Sequence, residues 1–193
     1  MGKIIAVVSG KGGTGKTSFT ACVALSLAAM GYETLALDCD ITLRNLDLAL
    51  GLSDSAAMDF SDVLDGRCTL AEATVPHRKY PKLSLLAAPL APRDERFSVP
   101  AMQALARDIR QRYDYCLVDA PAGLGQGFTL ATAMADSVVV VTTTDPAALR
   151  DAQRTVMELR GFPPGQVHLV VNRVRKKMLK ALHSTIDDAM DTA

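Results

Sequence analysis

The sequence predicts a three-layer α/β fold, in which a mostly parallel sheet has helices on both faces. Short apolar runs recur along the 193 residues, helical patterns lie between them, and 49% of the residues are hydrophobic. Strands covered on both faces carry continuous apolar runs of this kind. The length is that of one domain, so we expect residues 1–193 to form a single unit.

Six strands are predicted from short runs rich in Val, Ile, Leu and Ala. They cover Lys3–Ser9, Thr34–Asp38, Leu83–Ala88, Tyr115–Asp119, Ser137–Thr143 and Val167–Asn172.

Helices are predicted where apolar residues recur at helical spacing between these strands. One begins at Lys16 and stops before Gly31, and a second covers Pro100–Tyr113. A third has Asp145 as its N-cap and Pro146 at its first position, and ends at Gly161.

The least regular region covers Ser53–Lys82 and Ala88–Pro100. Within it, Thr69 and Glu72 have the spacing of a capping box, which predicts a short helix. We expect the rest of this region to form surface excursions.

Composition and charge reduce the number of functional classes to consider. Lys and Arg together number 21, as do Asp and Glu, and this zero net charge argues against a nucleic-acid partner. Cys22, Cys39, Cys68 and Cys116 form no CxxC pair, which favours reduced, mostly buried thiols of a cytoplasmic protein. The three histidines show no metal-ligand spacing, and the start of the chain does not have the pattern of a signal peptide.

A glycine-rich loop, SGKGGTGKTS, follows the first strand and precedes the first helix. It contains the pattern G-x-x-x-x-G-K-[ST], in which backbone N–H groups and a helix N-terminus converge on phosphates. Lys16 is expected to reach the β- and γ-phosphates, Thr17 to ligate Mg²⁺ and Ser18 to approach the α-phosphate. The residues expected to contact the nucleotide here are Gly10, Lys11, Gly12, Gly13, Thr14, Gly15, Lys16, Thr17 and Ser18.

Lys11 is not needed by an ordinary loop of this kind, because Lys16 already supplies a cation. A lysine at the start of the loop can project outward and act on a nucleotide bound by a second copy of the chain. There it would stabilise transition-state charge, as an arginine finger does. The alternative is a solvated surface lysine.

Carboxylates end two strands of the predicted sheet. Asp38 ends the second strand and Asp40 follows it, and alternation would put both on one face if the strand continued that far. Asp119 ends an apolar strand, which is the Walker B pattern. Asp40 and Asp119 are therefore candidates for holding Mg²⁺ and orienting water, and the alternative is a turn or cap residue.

The segment KGGTGKT resembles the deviant Walker A motif of the ParA/MinD family. The resemblance implies a P-loop NTPase fold, Mg²⁺-dependent ATP hydrolysis and a homodimer that forms on ATP. In that family the lysine at the position of Lys11 reaches the partner's ATP. Lys11, Lys16, Asp40 and Asp119 are thus the expected catalytic residues, and Thr17, Asp40 and Asp119 the expected metal ligands.

Three further segments carry the resemblance. DCDITLRNLDLALGL is similar to the MinD switch I segment, where Asp40 would orient the attacking water. Arg44 and Asn45 would make contacts that depend on the bound nucleotide. DAPAG is similar to switch II, and LRD at Leu149–Asp151 more weakly to a partner-binding stretch. In VVNRV the family implies that Asn172 reads the adenine edge and Arg173 packs beside the base; the alternative for Asn172 is a turn residue.

The resemblance also carries expectations about partners and location. It implies a MinC-like division inhibitor, a MinE-like activator or topology factor, and a cytoplasmic protein whose full-length form is peripheral at the inner face of the cell membrane. The family continues beyond Ala193 into another strand and a membrane-targeting helix, so this chain is expected not to bind membranes. We favour a helix packed on the sheet for residues 176–193; the alternative is a membrane-surface helix.

The function predicted is an ATP-dependent dimerising switch in placement of the division site. Two alternatives stay open. One is a ParA-like ATPase with another cargo, such as DNA partition or flagellar number. The other is a nucleotide-binding fragment that does not hydrolyse ATP.

Overall fold

The computed structural model describes residues 1–53, 55–90, 97–174 and 186–193. Its strands are β1 (Lys3–Val8), β2 (Thr34–Asp38), β3 (Val75–Pro76), β4 (Leu83–Leu86), β5 (Tyr115–Asp119), β6 (Ser137–Thr143) and β7 (Val167–Asn172). They form one sheet in the order β3-β4-β2-β5-β1-β6-β7. All neighbouring pairs are parallel except β3 with β4.

The helices of the described residues lie between these strands in the sequence or after the last of them. They are α1 (Lys16–Ala29), α2 (Leu46–Ala49), α3 (Phe60–Leu64), α4 (Leu70–Ala73), α5 (Val99–Arg112), α6 (Gln126–Met134), α7 (Pro146–Glu158) and α8 (Ile186–Thr192).

The core lies on both faces of the sheet because successive strand residues point to opposite sides. Ile4, Ala6 and Val8 of β1 pack with buried residues of α5, α6 and α7. Val7 packs on the other face with buried residues of α1 and α2. The three-layer, mostly parallel α/β fold predicted from the sequence is therefore confirmed.

The long elements agree closely with the sequence prediction. All six predicted strands are present, and β4 differs most, ending at Leu86. Helix α1 ends before Gly31, whose φ of 98° is the left-handed conformation that a glycine adopts after a helix. Helix α7 has Asp145 as its N-cap, and the Asp145 side chain accepts hydrogen bonds from the backbone of Ala147 and Ala148.

The prediction of surface excursions is wrong for part of its range. Phe60 is 2% exposed, Phe97 is 4% exposed, and their ring centroids lie 5.1 Å apart within the core. Asp59 starts α3 through a capping box with Asp62, a signal that was present in the sequence. The capping box predicted for Thr69 and Glu72 is formed in α4.

Only part of the predicted helix over residues 176–193 can be compared, because residues 175–185 lie outside the described ranges. Helix α8 contacts α7 and β7, and Ala193 packs against the core, in agreement with the predicted packing on the sheet. No helix among the described residues has the length and apolar character that crossing a membrane requires.

Candidate nucleotide-binding site

The site lies at the carboxyl ends of the central strands. β1 lies between β5 and β6, and the loop of residues 9–15 leaves its carboxyl end. Val7 of β1 pairs with Asp119 of β5, which pairs in turn with Asp38 of β2. The sheet thus brings the predicted loop and the predicted carboxylates to one edge, where α/β proteins bind ligands.

The glycine loop is tightly enclosed by the chain around it. Gly15 has a φ of 92°, and a Cβ atom there would lie 2.3 Å from Asn172 Nδ2. A Cβ atom on Gly10 would lie 2.5 Å from the backbone oxygen of Asp151. Gly15 is also the N-cap of α1 and supplies no capping side chain, so the N–H groups of the first turn are available to an anion.

Lys16 and Asp119 form a buried ion pair in the centre of the site. Lys16 Nζ lies 2.7 Å from Asp119 Oδ1, and the two side chains are 7% and 1% exposed. Thr17 Oγ1 donates to Asp119 Oδ2 at 2.7 Å, and Thr20 Oγ1 to Asp119 Oδ1 at 3.1 Å. Thr20 was not predicted, although it lies one helical turn after Lys16 and so on the same face of α1.

The residues present fit a magnesium–nucleotide complex. The Thr17 hydroxyl and the Asp119 carboxylate are the hard oxygen donors that Mg²⁺ prefers, and such sites usually take their other ligands from phosphates and water. Within the described ranges, no group of three His, Cys, Asp or Glu side chains could hold a metal without them. The Thr14 hydroxyl is buried without a hydrogen-bond partner in the same part of the chain, so a polar ligand could satisfy it.

Asp40 lies beyond the end of β2, so the strand does not continue to place it on the face of Asp38. Asp40 Oδ1 accepts hydrogen bonds from the backbone of Thr42 at 3.2 Å and Leu43 at 3.1 Å. Its carboxylate therefore shapes the start of the segment that resembles switch I.

Asp38 fastens that segment at two points, near its start and in its middle. Its Oδ1 accepts from the Asp40 N–H at 2.9 Å and its Oδ2 from the Leu46 N–H at 3.0 Å. Burial raises the pKa of Asp38 to about 7, although these two hydrogen bonds act in the opposite direction. The sequence predicted Asp38 as a strand end and gave it no role, because neither contact can be read from spacing.

Lys11 pairs with a different carboxylate from Lys16. Lys11 Nζ lies 3.2 Å from Asp145 Oδ1, and the two side chains are 39% and 55% exposed. Hydrogen bonds from the Ala148 backbone and the Lys11 ammonium lower the pKa of Asp145. Asp145 was predicted only as a helix cap, and its contact with Lys11 joins residues that are 134 apart in sequence.

Asn172 and Arg173 lie beside the loop, on the carboxyl end of β7. Asn172 Nδ2 donates to the backbone oxygen of Thr14 at 2.9 Å, and Asn172 Oδ1 accepts from the Arg173 N–H at 2.8 Å. Asn172 thus fastens β7 to the loop in this structure. Its reading of the adenine edge stays a prediction.

Two other residues singled out by sequence have defined neighbours in the structure. Arg44 has a φ of 42°, and its Nε lies 3.7 Å from Asp47 Oδ2. Asp151 lies against Gly10, which brings the LRD segment to the loop.

The cysteines are free thiols. Two of them are buried, Cys39 and Cys116, and burial raises the pKa of both, whereas Cys22 is exposed and Cys68 is half-buried. The prediction of mostly buried thiols is therefore right for two of the four.

A large cavity lies away from this site. Its volume is about 1160 Å³, and its lining includes Lys3, Asp136 and Gln166, which lie at the amino ends of strands. The hydrogen-bonded residues of the nucleotide site lie at the carboxyl ends of the strands. The volume of a cavity alone therefore does not identify the functional site.

Comparison with known proteins shows which family the whole chain resembles. A family model described as an AAA domain matches residues 2–162. The septum site-determining protein MinD of Synechocystis is 38% identical over 192 residues, which are 99% of this chain and 72% of that protein. MinD of Bacillus subtilis is 38% identical over 186 residues, which cover 93% of this chain and 68% of that protein. The chain belongs to the MinD family.

Solved structures of MinD proteins have the same fold. The MinC:MinD cell division protein complex of Aquifex aeolicus contains a chain with a TM-score of 0.87 and 34% identity, matched over 98% of this chain and 76% of that one. MinD of Pyrococcus horikoshii complexed with Mg-ADP gives a TM-score of 0.81 at 28% identity, over 100% of this chain and 77% of that one. The MinD likeness therefore extends from the glycine loop to the whole sheet.

Proposed function

We propose that the protein is a switch that dimerises when it binds ATP and hydrolyses the ATP in that dimer. Membership of the MinD family makes it an ATPase of division-site placement, and the proposal concerns how its site works. One observation carries it: the two loop lysines are separated. Lys16 is buried against Asp119, whereas Lys11 is half-exposed and held at the edge of the site by Asp145. Lys11 is therefore accessible to a second copy of the chain.

Each residue then has a distinct task. Thr17 and Asp119 would hold Mg²⁺, which when bound would neutralise negative charge on the phosphates. Lys16 and the first-turn N–H groups of α1 bind the phosphates, and Asp40 orients the attacking water. Lys11 from the second copy stabilises negative charge in the transition state, a role worth about 10³–10⁵ in rate for the comparable arginine finger.

The solved relatives support two finer proposals. The Pyrococcus horikoshii MinD complexed with Mg-ADP supports a Mg²⁺-dependent reaction here. The Aquifex aeolicus MinC:MinD complex supports a MinC-like inhibitor as a partner. From the family we also propose a MinE-like activator and a cytoplasmic protein whose full-length form attaches to the inner face of the membrane.

The test is to measure ATP hydrolysis per molecule as the protein concentration is raised. A reaction that needs two copies becomes faster per molecule, whereas a reaction within one copy has a constant rate. We expect Lys16→Ala to abolish ATP binding, because the phosphate cation is lost. We expect Lys11→Ala to bind ATP as a monomer without dimerisation or turnover, as read by calorimetry and size-exclusion chromatography.

Lys79→Ala is the matched control, because Lys79 is exposed beside Tyr80 and outside the site. It should dimerise and hydrolyse ATP as the unmodified chain does. A Lys11→Ala protein that dimerises and turns over ATP at the normal rate would contradict the role of Lys11. ATP binding without any hydrolysis at high protein concentration would instead support the fragment that does not hydrolyse ATP.

A further inference from the structure

Asp119 receives hydrogen bonds from three side chains of one helix turn. Lys16 Nζ and Thr20 Oγ1 both bond to Oδ1, at 2.7 Å and 3.1 Å, and Thr17 Oγ1 bonds to Oδ2 at 2.7 Å. The proposed function assigns Lys16 to the phosphates and Thr17 to the magnesium ion. Thr20 has no task in that account.

Thr20 is built into the core rather than into the ligand cleft. It is fully buried, at 0% exposure, on the face of α1 that packs against β5. Its hydroxyl also lies 3.0 Å from the backbone oxygen of Lys16, the usual partner of a threonine within a helix. A carboxylate is the stronger acceptor of the two, and the β-branched side chain has few rotamers, so the hydroxyl is held in place toward Asp119.

We propose that Thr20 is a positioning residue that holds Asp119 Oδ1 and so presents Asp119 Oδ2 to the magnesium ion of the bound nucleotide. The inference rests on the proposed function, in which Lys16 leaves Asp119 to bind the phosphates and the Thr17 hydroxyl leaves it to bind the magnesium ion. After that exchange Thr20 is the donor of the three that stays on the carboxylate. Partners behind a metal ligand fix its orientation in this way.

The experiment uses Thr20→Val, which keeps the shape of the side chain and removes the hydroxyl, and Thr20→Ser, which keeps the hydroxyl. Binding of a fluorescent ADP analogue is measured in EDTA and then over a series of Mg²⁺ concentrations. We expect Thr20→Val to bind the analogue normally in EDTA but to need about 10–100-fold more Mg²⁺ for the tight complex, which is the usual effect of losing a residue behind a metal ligand. Thr20→Ser should restore the normal requirement.

Thr155→Val is the matched control. Thr155 is also a buried threonine within a helix, and its hydroxyl donates to the Asp151 backbone oxygen at 2.8 Å, away from Asp119. It should leave the Mg²⁺ requirement unchanged.

An unchanged Mg²⁺ requirement in Thr20→Val would overturn the inference. So would an equal loss of binding in EDTA, because that would indicate a general defect of the loop. Neither result bears on dimerisation, which the dependence of hydrolysis on protein concentration tests separately. If the rate of hydrolysis per molecule did not depend on protein concentration, the proposed dimer would be contradicted. The Mg²⁺ series would still decide the role of Thr20.

Discussion

At the scale of single residues, each carboxylate of the site has a different surrounding and therefore a different task. Asp119 is engaged by side chains, Asp38 by two backbone N–H groups within switch I, and Asp40 by the turn that follows it. Asp40 combines a structural contact with the proposed orientation of water. A substitution that separates the two roles is therefore more informative than simple truncation.

We expect Asp40→Asn to bind ATP but to hydrolyse it about 10²–10³-fold more slowly, the usual range when an electrostatic contribution to the transition state is lost. The asparagine oxygen can still accept from Thr42 and Leu43, so the turn should persist. Asp40→Ala should be equally slow and should also loosen the turn. Single-turnover hydrolysis and equilibrium binding measure the two effects, and a normal rate in Asp40→Asn would make Asp119 the next candidate.

At the scale of elements, the long strands and helices with clear local patterns were predicted from the sequence. Several short helices and the contacts between residues far apart in sequence were not. Long apolar strands and the glycine loop were predictable because their signals lie within about ten residues. Helix α6 was missed because its residues, QGFTLATAM, carry no strong cap, and α2 because it is one turn long without a side-chain cap. Helix α3 was missed although its capping box of Asp59 and Asp62 was present in the sequence. The contacts of Asp119 with Thr20 and of Lys11 with Asp145 join residues far apart in sequence, so no pattern could show them.

The junction between the loop and β7 allows a test at the same scale. Gly15→Ala places a methyl group against Asn172 in a left-handed conformation, which costs an L-residue roughly 1–2 kcal/mol before any clash. We expect it to lower the free energy of unfolding by at least that amount and to break the bond from Asn172 to Thr14. Urea denaturation without nucleotide measures the change.

Gly161→Ala is the control for that test, because a Cβ atom there would meet no other atom within 4 Å. It should unfold at the urea concentration of the unmodified chain. Equal stability of the two variants would show that the Gly15 backbone relaxes freely and that the junction is not tight.

At the scale of the whole molecule, stability should decrease from the centre of the sheet to its edges. β1 and β5 are paired on both sides and buried, whereas β7 is half-buried and, within the described residues, pairs with β6 alone. Local opening needs less free energy where fewer contacts are broken.

Hydrogen exchange followed by mass spectrometry should show this gradient directly. We expect the amides of β1 and β5 to exchange last, close to the rate of global unfolding, and those of β3 and β7 to exchange earlier. ATP should slow exchange in the glycine loop and in switch I. If β7 were protected as well as β1, the simple centre-to-edge order would be wrong.

The ion pair of Lys16 with Asp119 has a consequence for how the protein exchanges nucleotide. Without nucleotide the ammonium already has an anion beside it, since it contacts the Asp119 carboxylate. Arrival of ATP is therefore a substitution at Lys16, and departure of ADP is assisted by a carboxylate that is ready to replace it. Because phosphate must displace the Asp119 carboxylate from Lys16, the net gain from the lysine–phosphate contact is smaller. A smaller gain favours a short residence time of the bound nucleotide.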